Sequence, residues 1–211
     1  MIPRFLTHYH LSDLAPFQSI SELNDDEWTA LCKDLACRRE SDASYNRRFG
    51  HSYRSIRLEV EEMLKDKFES KGGVVTRSAP HYFCLGVSNW WKNFCDHSEV
   101  RISLDEIDPR TISFTYPDSF TSMGILGRFG INHEKKPYHG EVYFLDEIED
   151  VVREFGMPDD EPLADYTEYH KENLEIYVEA QLWTDLPVSS SISNNKARRG
   201  WQSASRALVK F

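Results

Sequence analysis

Leu174-Glu175-Ile176-Tyr177-Val178-Glu179-Ala180-Gln181-Leu182-Trp183 alternates without a break. A side-chain period of two marks a β-strand with one face against a core. Leu174, Ile176, Val178, Ala180 and Leu182 form the core face. Glu175, Tyr177, Glu179, Gln181 and Trp183 form the other, which is either solvated or the floor of a site. Same-face neighbours on a strand lie roughly 6.5–7 Å apart, so two carboxylates there can divide labour, one orienting and one stabilising positive charge. An ordinary polar face of an antiparallel sheet is the competing reading. The Tyr and Trp weaken it, because a fully solvated face rarely carries both.

Working outward from that strand, further elements follow from spacing. Phe5–Leu11 reads as a strand, with a short helix near Leu14–Ser19. Asn24 and Glu27 form a capping box ahead of Trp28, Leu31, Cys32 and Leu35, and that helix is expected to end near Ala36 or Cys37. Ile56, Val60, Met63, Leu64 and Phe68 mark a second amphipathic helix, stopped by Gly72-Gly73. Strands are expected at Tyr82–Leu85, Val100–Leu104, Thr111–Tyr116 and Glu141–Leu145. A helix capped by Asp146 carries Ile148, Val151, Val152 and Phe155 on one face. Ser119 to Lys136 reads as a long loop, and Asp159 to Tyr169 as an acidic connector. The pattern is α+β: mostly antiparallel sheet with two or three amphipathic helices. Residues 1–188 are expected to form a single domain and 189–211 a basic tail.

Hydrophobic residues make up 40% of the 211 and aromatics 13%, enough for a real core. No apolar run reaches bilayer-spanning length, and the polar start is unlike a signal peptide, so a cytoplasmic protein without membrane contact is expected. Cys32, Cys37, Cys84 and Cys95 are too few for a disulfide scaffold in this length and read as free thiols. The net charge of −10 is uneven. Residues 194–211 hold five basic residues and no acid, leaving 20 basic against 35 acidic residues and −15 for the rest. Such a body repels nucleic acid except at local basic patches.

Three constellations carry candidate chemistry besides the strand. His8 and His10 share a face of the first strand. The nearby partners His81, Cys84, Cys95 and His97 lack a zinc spacing, so no metal is expected, and a histidine bonded to a ligand or a backbone carbonyl is the stronger reading. Arg47, Arg48, Arg54 and Arg57 alternate with Phe49, His51 and Tyr53, a mixture that suits phosphate and base contact as well as a solvated helix start paired with the acidic body. The tail, with Trp201, Leu208, Val209 and Phe211, suits docking on the protein's own acidic surface, partner binding or disorder. Walker, dinucleotide-fingerprint, nucleophile-elbow and HExxH motifs are missing from the sequence.

Tyr9-His10-Leu11-Ser12 followed by Phe17-Gln18-Ser19-Ile20, then His81-Tyr82-Phe83, then Val178-Glu179-Ala180-Gln181-Leu182 ahead of Pro187, occur in an order that resembles the ADP-ribosyltransferase fold. The order is similar in particular to that of the DarT-like toxins that modify DNA. About 40 of the 211 residues carry the resemblance. It implies an NAD-dependent ADP-ribosyltransferase, or an NAD-binding protein, acting on a nucleic-acid or protein acceptor. His10 would hold the ribose or nicotinamide amide, Tyr82 would lie near the nicotinamide, and Glu179 would be catalytic. Arg47 or Arg48 would contact phosphate. The chain departs from the pattern after the Tyr-Phe strand, where it reads Gly86-Val87-Ser88-Asn89-Trp90. The competing function is a non-catalytic, immunity- or antitoxin-like acidic protein that covers a basic partner. The enzymatic reading requires His10 and Glu179 to converge on one cleft of ordinary ligand size, and it fails if they lie on opposite sides of the sheet.

Overall fold

The computed structural model describes residues 2–12, 15–41, 52–94, 97–158 and 175–186. Arg47, Arg48, the acidic connector and the basic tail lie outside them. Five strands, β1 (Phe5–Leu11), β2 (His81–Leu85), β3 (His97–Ser103), β4 (Ile112–Thr115) and β5 (Glu179–Leu182), form one sheet in the order β3-β1-β2-β5-β4. Every neighbouring pair is antiparallel. The helices are α1 (Asp25–Ser41), α2 (Tyr53–Ser70), α3 (Asn89–Phe94), α4 (Ser119–Ser122) and α5 (Leu145–Phe155). The α+β class stands. No helix among the described residues is long and apolar enough to cross a membrane.

Both faces of the sheet are covered, and alternation along the strands explains why. Leu6, Phe83, Leu85, Ile102, Phe114, Val178, Ala180 and Leu182 point to one side, where Ile148 and Val152 of α5 join them. Trp183 points to the other side and meets Ile56, Val60, Leu64 and Phe68 of α2, with Met123, Ile125 and Val142. The glycines that end α2 are both needed. Gly72 has φ +93°, and a Cβ at Gly73 would lie 2.5 Å from the Phe68 ring. The capping box of α1 is present as read: Asn24 Oδ1 accepts from Glu27 N–H at 3.0 Å, and Glu27 Oε2 accepts from Asn24 N–H at 2.8 Å. The helix runs on to Ser41, with Arg38 and Arg39 in a last turn whose dipole favours cations.

Several expectations are corrected. The helix near Leu14–Ser19 is not formed over the described residues 15–19; a 3-10 turn at Ile20–Glu22 follows instead. Glu141–Leu145 is not a strand. Tyr143 makes an isolated bridge to Phe114, and α5 already begins at Leu145. The alternation in this segment is nevertheless used, since Val142 and Phe144 join the α2 core while Tyr143 and Leu145 join the α5 core. The loop from Ser119 to Lys136 contains α4 and a 3-10 turn at Leu126–Phe129. The late strand is shorter than its pattern, with residues 175–178 irregular. Ile176, read as a core-face residue with Val178, packs instead with Tyr9, Cys84, Trp90 and Trp91.

Trp183 is fully buried, its ring 6.4 Å from that of Phe68, and its Nε1 donates to Ser113 Oγ at 2.8 Å. Trp183→Ala is expected to cost about 3–5 kcal/mol in urea denaturation. Trp183→Phe should cost less, with a residue of about 1 kcal/mol from the lost indole hydrogen bond.

Candidate functional site

The polar face of the late strand is neither solvated nor an open floor. It is a buried hydrogen-bonded row. Gln181 is fully buried and Glu179 is 5% exposed. Ser113 Oγ, which accepts from Trp183, donates to Gln181 Oε1 at 2.8 Å. Gln181 Nε2 then donates to Glu179 Oε1 at 3.0 Å and to Thr115 Oγ1 at 3.2 Å. Such a chain fixes which way the amide faces, and so fixes the carboxylate next to it.

Above this row lies α2, which buries two charges one step away from its apolar stripe. Arg57 and Glu61 sit at i and i+4, beside Ile56 and Val60. The Arg57 guanidinium stacks over the rings of Tyr82 at 4.8 Å and Phe120 at 4.0 Å. Its Nη1 donates to Ser119 Oγ at 3.1 Å, and the Ser119 hydroxyl in turn hydrogen-bonds Glu179. Glu61 Oε1 accepts from Ser21 Oγ at 2.7 Å and from Tyr82 Oη at 3.0 Å. Asp118 caps α4, accepting from Phe120 and Thr121 N–H.

Burial works against the charge of each of these groups. It raises the Glu179, Glu61 and Asp118 carboxyls above their ordinary values, partly opposed by Arg57. Burial also raises the Tyr82 and Tyr177 hydroxyls well above the ordinary tyrosine value. For Arg57 burial opposes the charge, but Tyr53, Tyr82, Glu179 and Glu61 outweigh it and hold the guanidinium protonated. Several acids around a single cation, out of water, mark a place where charge has been concentrated at a cost.

A cleft opens beside Glu179 because the two central strands part. The β1–β2 ladder pairs Leu6 with Leu85 and Thr7 with Cys84. Beyond Thr7 the His8 side chain takes over, with Nδ1 2.7 Å from the carbonyl oxygen of Tyr82 and Nε2 accepting from Phe17 N–H at 3.2 Å. Acceptance at Nε2 places the ring proton on Nδ1, so His8 is neutral and bonds a backbone carbonyl. The gap between the strands is a narrow cavity of about 20 Å³, lined by Tyr9, Tyr82, Cys84, Trp91, Tyr177 and Glu179 among others. The Tyr9 hydroxyl accepts from Ser88 N–H at 3.0 Å, and burial pushes its pKa up to about 12.

Tyr82 and Glu179 are brought together, and His10 is not. Cys84 pairs with Glu179 and Tyr82 with Gln181, placing all four on the α2 side. His10 is three residues from Thr7, the partner of Cys84, and so faces the opposite side. There it stacks with His8, at 6.0 Å between ring centroids. The pocket expected from His10, Tyr82 and Glu179 together is therefore corrected: parity in β1 sends Tyr9, not His10, toward the cleft. Glu175 is also separate from Glu179, making its contacts with Tyr138 and Lys136.

Glu61 was not named from sequence, and Arg57 only as one of four arginines in a basic stretch; the (i, i+4) pairing beside an apolar stripe is the signal that marks them as different. Arg54 of the same stretch is half-buried, pairing with Asp25 at 2.7 Å and donating to the Leu23 carbonyl oxygen. No family model, curated protein or solved structure matches the chain, so what the site does is argued from its own residues.

Removing the cation should expose the cost of the acids. Arg57→Met is expected to destabilise by about 3–5 kcal/mol at neutral pH, and less in acid, where the carboxyls are protonated. Glu179 titrates above its unfolded value, so the folded chain binds more protons between those two values. Its contribution to stability is therefore present below the unfolded value, about pH 4.3, and is lost as pH rises through the folded value. Glu179→Gln should accordingly gain stability relative to the parent as pH rises through that window. Urea denaturation across the range measures it, and a constant difference would contradict the assignment.

Proposed function

We propose that the protein binds a nucleotide of the NAD type, by a ring-and-ribose end seated between β1 and β2. The observation that carries this is a fixed, buried carboxylate, Glu179, in a gap walled by Tyr9, Tyr82, Trp91 and Tyr177. Aromatic side chains offer flat surfaces for a ring, and a carboxylate accepts hydrogen bonds from hydroxyls. The cavity itself is about 20 Å³, far below the range of about 300–1,000 Å³ usual for small-molecule pockets, so a ring enters only as β1 and β2 part further. His10 takes no part.

Transfer of ADP-ribose does not follow from that binding. It required His10 and Glu179 to converge on one cleft, and the two lie on opposite sides of the sheet.

Two measurements test the reading in order. NAD should quench the fluorescence of the tryptophans at the cleft, and Glu179→Gln should weaken binding by about tenfold, the size of a charge-assisted hydrogen bond. Burial raises the Glu179 carboxyl, so the anion is populated only above that raised value and binding should tighten as pH rises through it. Absence of nucleotide binding overturns the proposal. The excess of 35 acidic over 25 basic residues would then favour the reading as an acidic interaction protein that covers a basic partner.

A further inference from the structure

His133, His139 and Glu175 come together away from the Glu179 cleft. The two histidines lie in the irregular run between the 3-10 turn at Leu126–Phe129 and the bridge at Tyr143, and Glu175 lies just ahead of β5. Each residue offers a ligand atom, and these atoms all lie within 4.8 Å of one another. His139 Nε2 is 3.4 Å and His133 Nε2 is 3.9 Å from Glu175 Oε1. Two ligands about 2.1 Å from a tetrahedral ion stand about 3.4 Å apart. The His139 side chain is 3% exposed, and the Nε2 atoms of both histidines are buried without a hydrogen-bond partner. Neither makes a hydrogen bond to the other or to the carboxylate, yet the three groups lie close together. We infer that these three side chains bind a divalent transition cation of the zinc class.

The surroundings supply what such a site needs. Tyr138 Oη donates to Glu175 Oε2 at 2.7 Å, orienting the carboxylate and leaving Oε1 toward the histidines. His133 and His139 also line a cavity of about 300 Å³, with Met123, Leu126 and Ile131 as its apolar wall. Two imidazoles and a carboxylate leave the fourth position of a tetrahedral ion for water or a small ligand.

Lys136 competes with the cation twice. Its Nζ is 2.8 Å from Glu175 Oε1, and its side chain is 41% exposed, free to turn toward water. Its backbone N–H donates to His139 Nδ1 at 3.1 Å, which puts the ring proton on Nε2. On ion binding that proton moves to Nδ1, the N–H···N bond is given up and Nε2 becomes a ligand. From sequence, only His8 and His10 with His81, Cys84, Cys95 and His97 were weighed and no metal was expected; His133 and His139 meet their third partner only across a long chain separation.

Cobalt(II) titration of the chelator-treated full chain tests the site, followed in the visible spectrum and by zinc displacement. A single ion per chain with tetrahedral absorption is expected. Loss of an outer-shell partner costs about 10–100-fold in affinity, so His139→Ala should cost at least about 100-fold. Lys136→Ala should tighten binding by about three- to fivefold, the size of an exposed ion pair. Glu179→Gln should leave it unchanged, which separates this site from the nucleotide reading. Absence of stoichiometric binding, or binding indifferent to His139→Ala in a variant shown folded by circular dichroism, overturns the proposal. Should His139→Ala fail to fold, the proposal stands only if Lys136→Ala tightens binding and His133→Ala weakens it.

Discussion

One buried guanidinium sets the terms for half of this molecule. Arg57 is 4% exposed, and the acids that hold it charged are themselves out of water. A carboxylate moved into such a place without a partner would neutralise itself or unfold its surroundings. The α2 helix therefore has one register on the sheet. A shift would carry Arg57 away from Ser119 and Tyr82 and leave Glu61 and Glu179 facing apolar neighbours. The apolar stripe Ile56, Val60, Leu64 and Phe68 tolerates small adjustments, because hydrophobic contact is not directional. The polar pair beside it does not.

That division explains how much of the molecule could be read from its residues. The β1 strand at Phe5–Leu11, the capping box of α1 and the stop after α2 were legible, because each depends on residues close in the chain. The antiparallel α+β arrangement followed from their sum. The pairing order β3-β1-β2-β5-β4 was not legible, since it is set by contacts between distant segments. Nor was the fate of Val142–Leu145, which alternates like a strand but pairs at Tyr143 alone. Alternation reports two buried sides, and it does not report a neighbour to bond with.

The candidate site was legible in part for the same reason. Glu179 and Tyr82 share a face; Glu179 stood out from the alternation of its strand, and Tyr82 only from the family resemblance. His10 failed on parity. In β1 the residues at positions 7 and 9 look toward the cleft, and those at 8 and 10 look away. A one-residue change of parity exchanges every side chain on a strand, so a motif of adjacent Tyr and His leaves the facing residue undecided. Arg57 and Glu61 were hidden by composition, one within a basic stretch and the other within an acidic helix surface.

The cleft itself follows from the least conspicuous of these residues. His8 spends both ring nitrogens on backbone groups, one at Tyr82 and one at Phe17. By doing so it substitutes for the ladder that β1 and β2 would otherwise continue, and the strands part where a continuous sheet would have been closed. A sheet interior is ordinarily a poor place for a ligand, because its backbone groups are paired with one another. Here the separation is made in the middle of the sheet, and the buried row from Trp183 through Ser113 and Gln181 ends at a carboxylate beside the gap. The neutral, doubly bonded His8 thus leaves a narrow gap beside Glu179, while the row behind Glu179 fixes the direction in which its carboxylate faces.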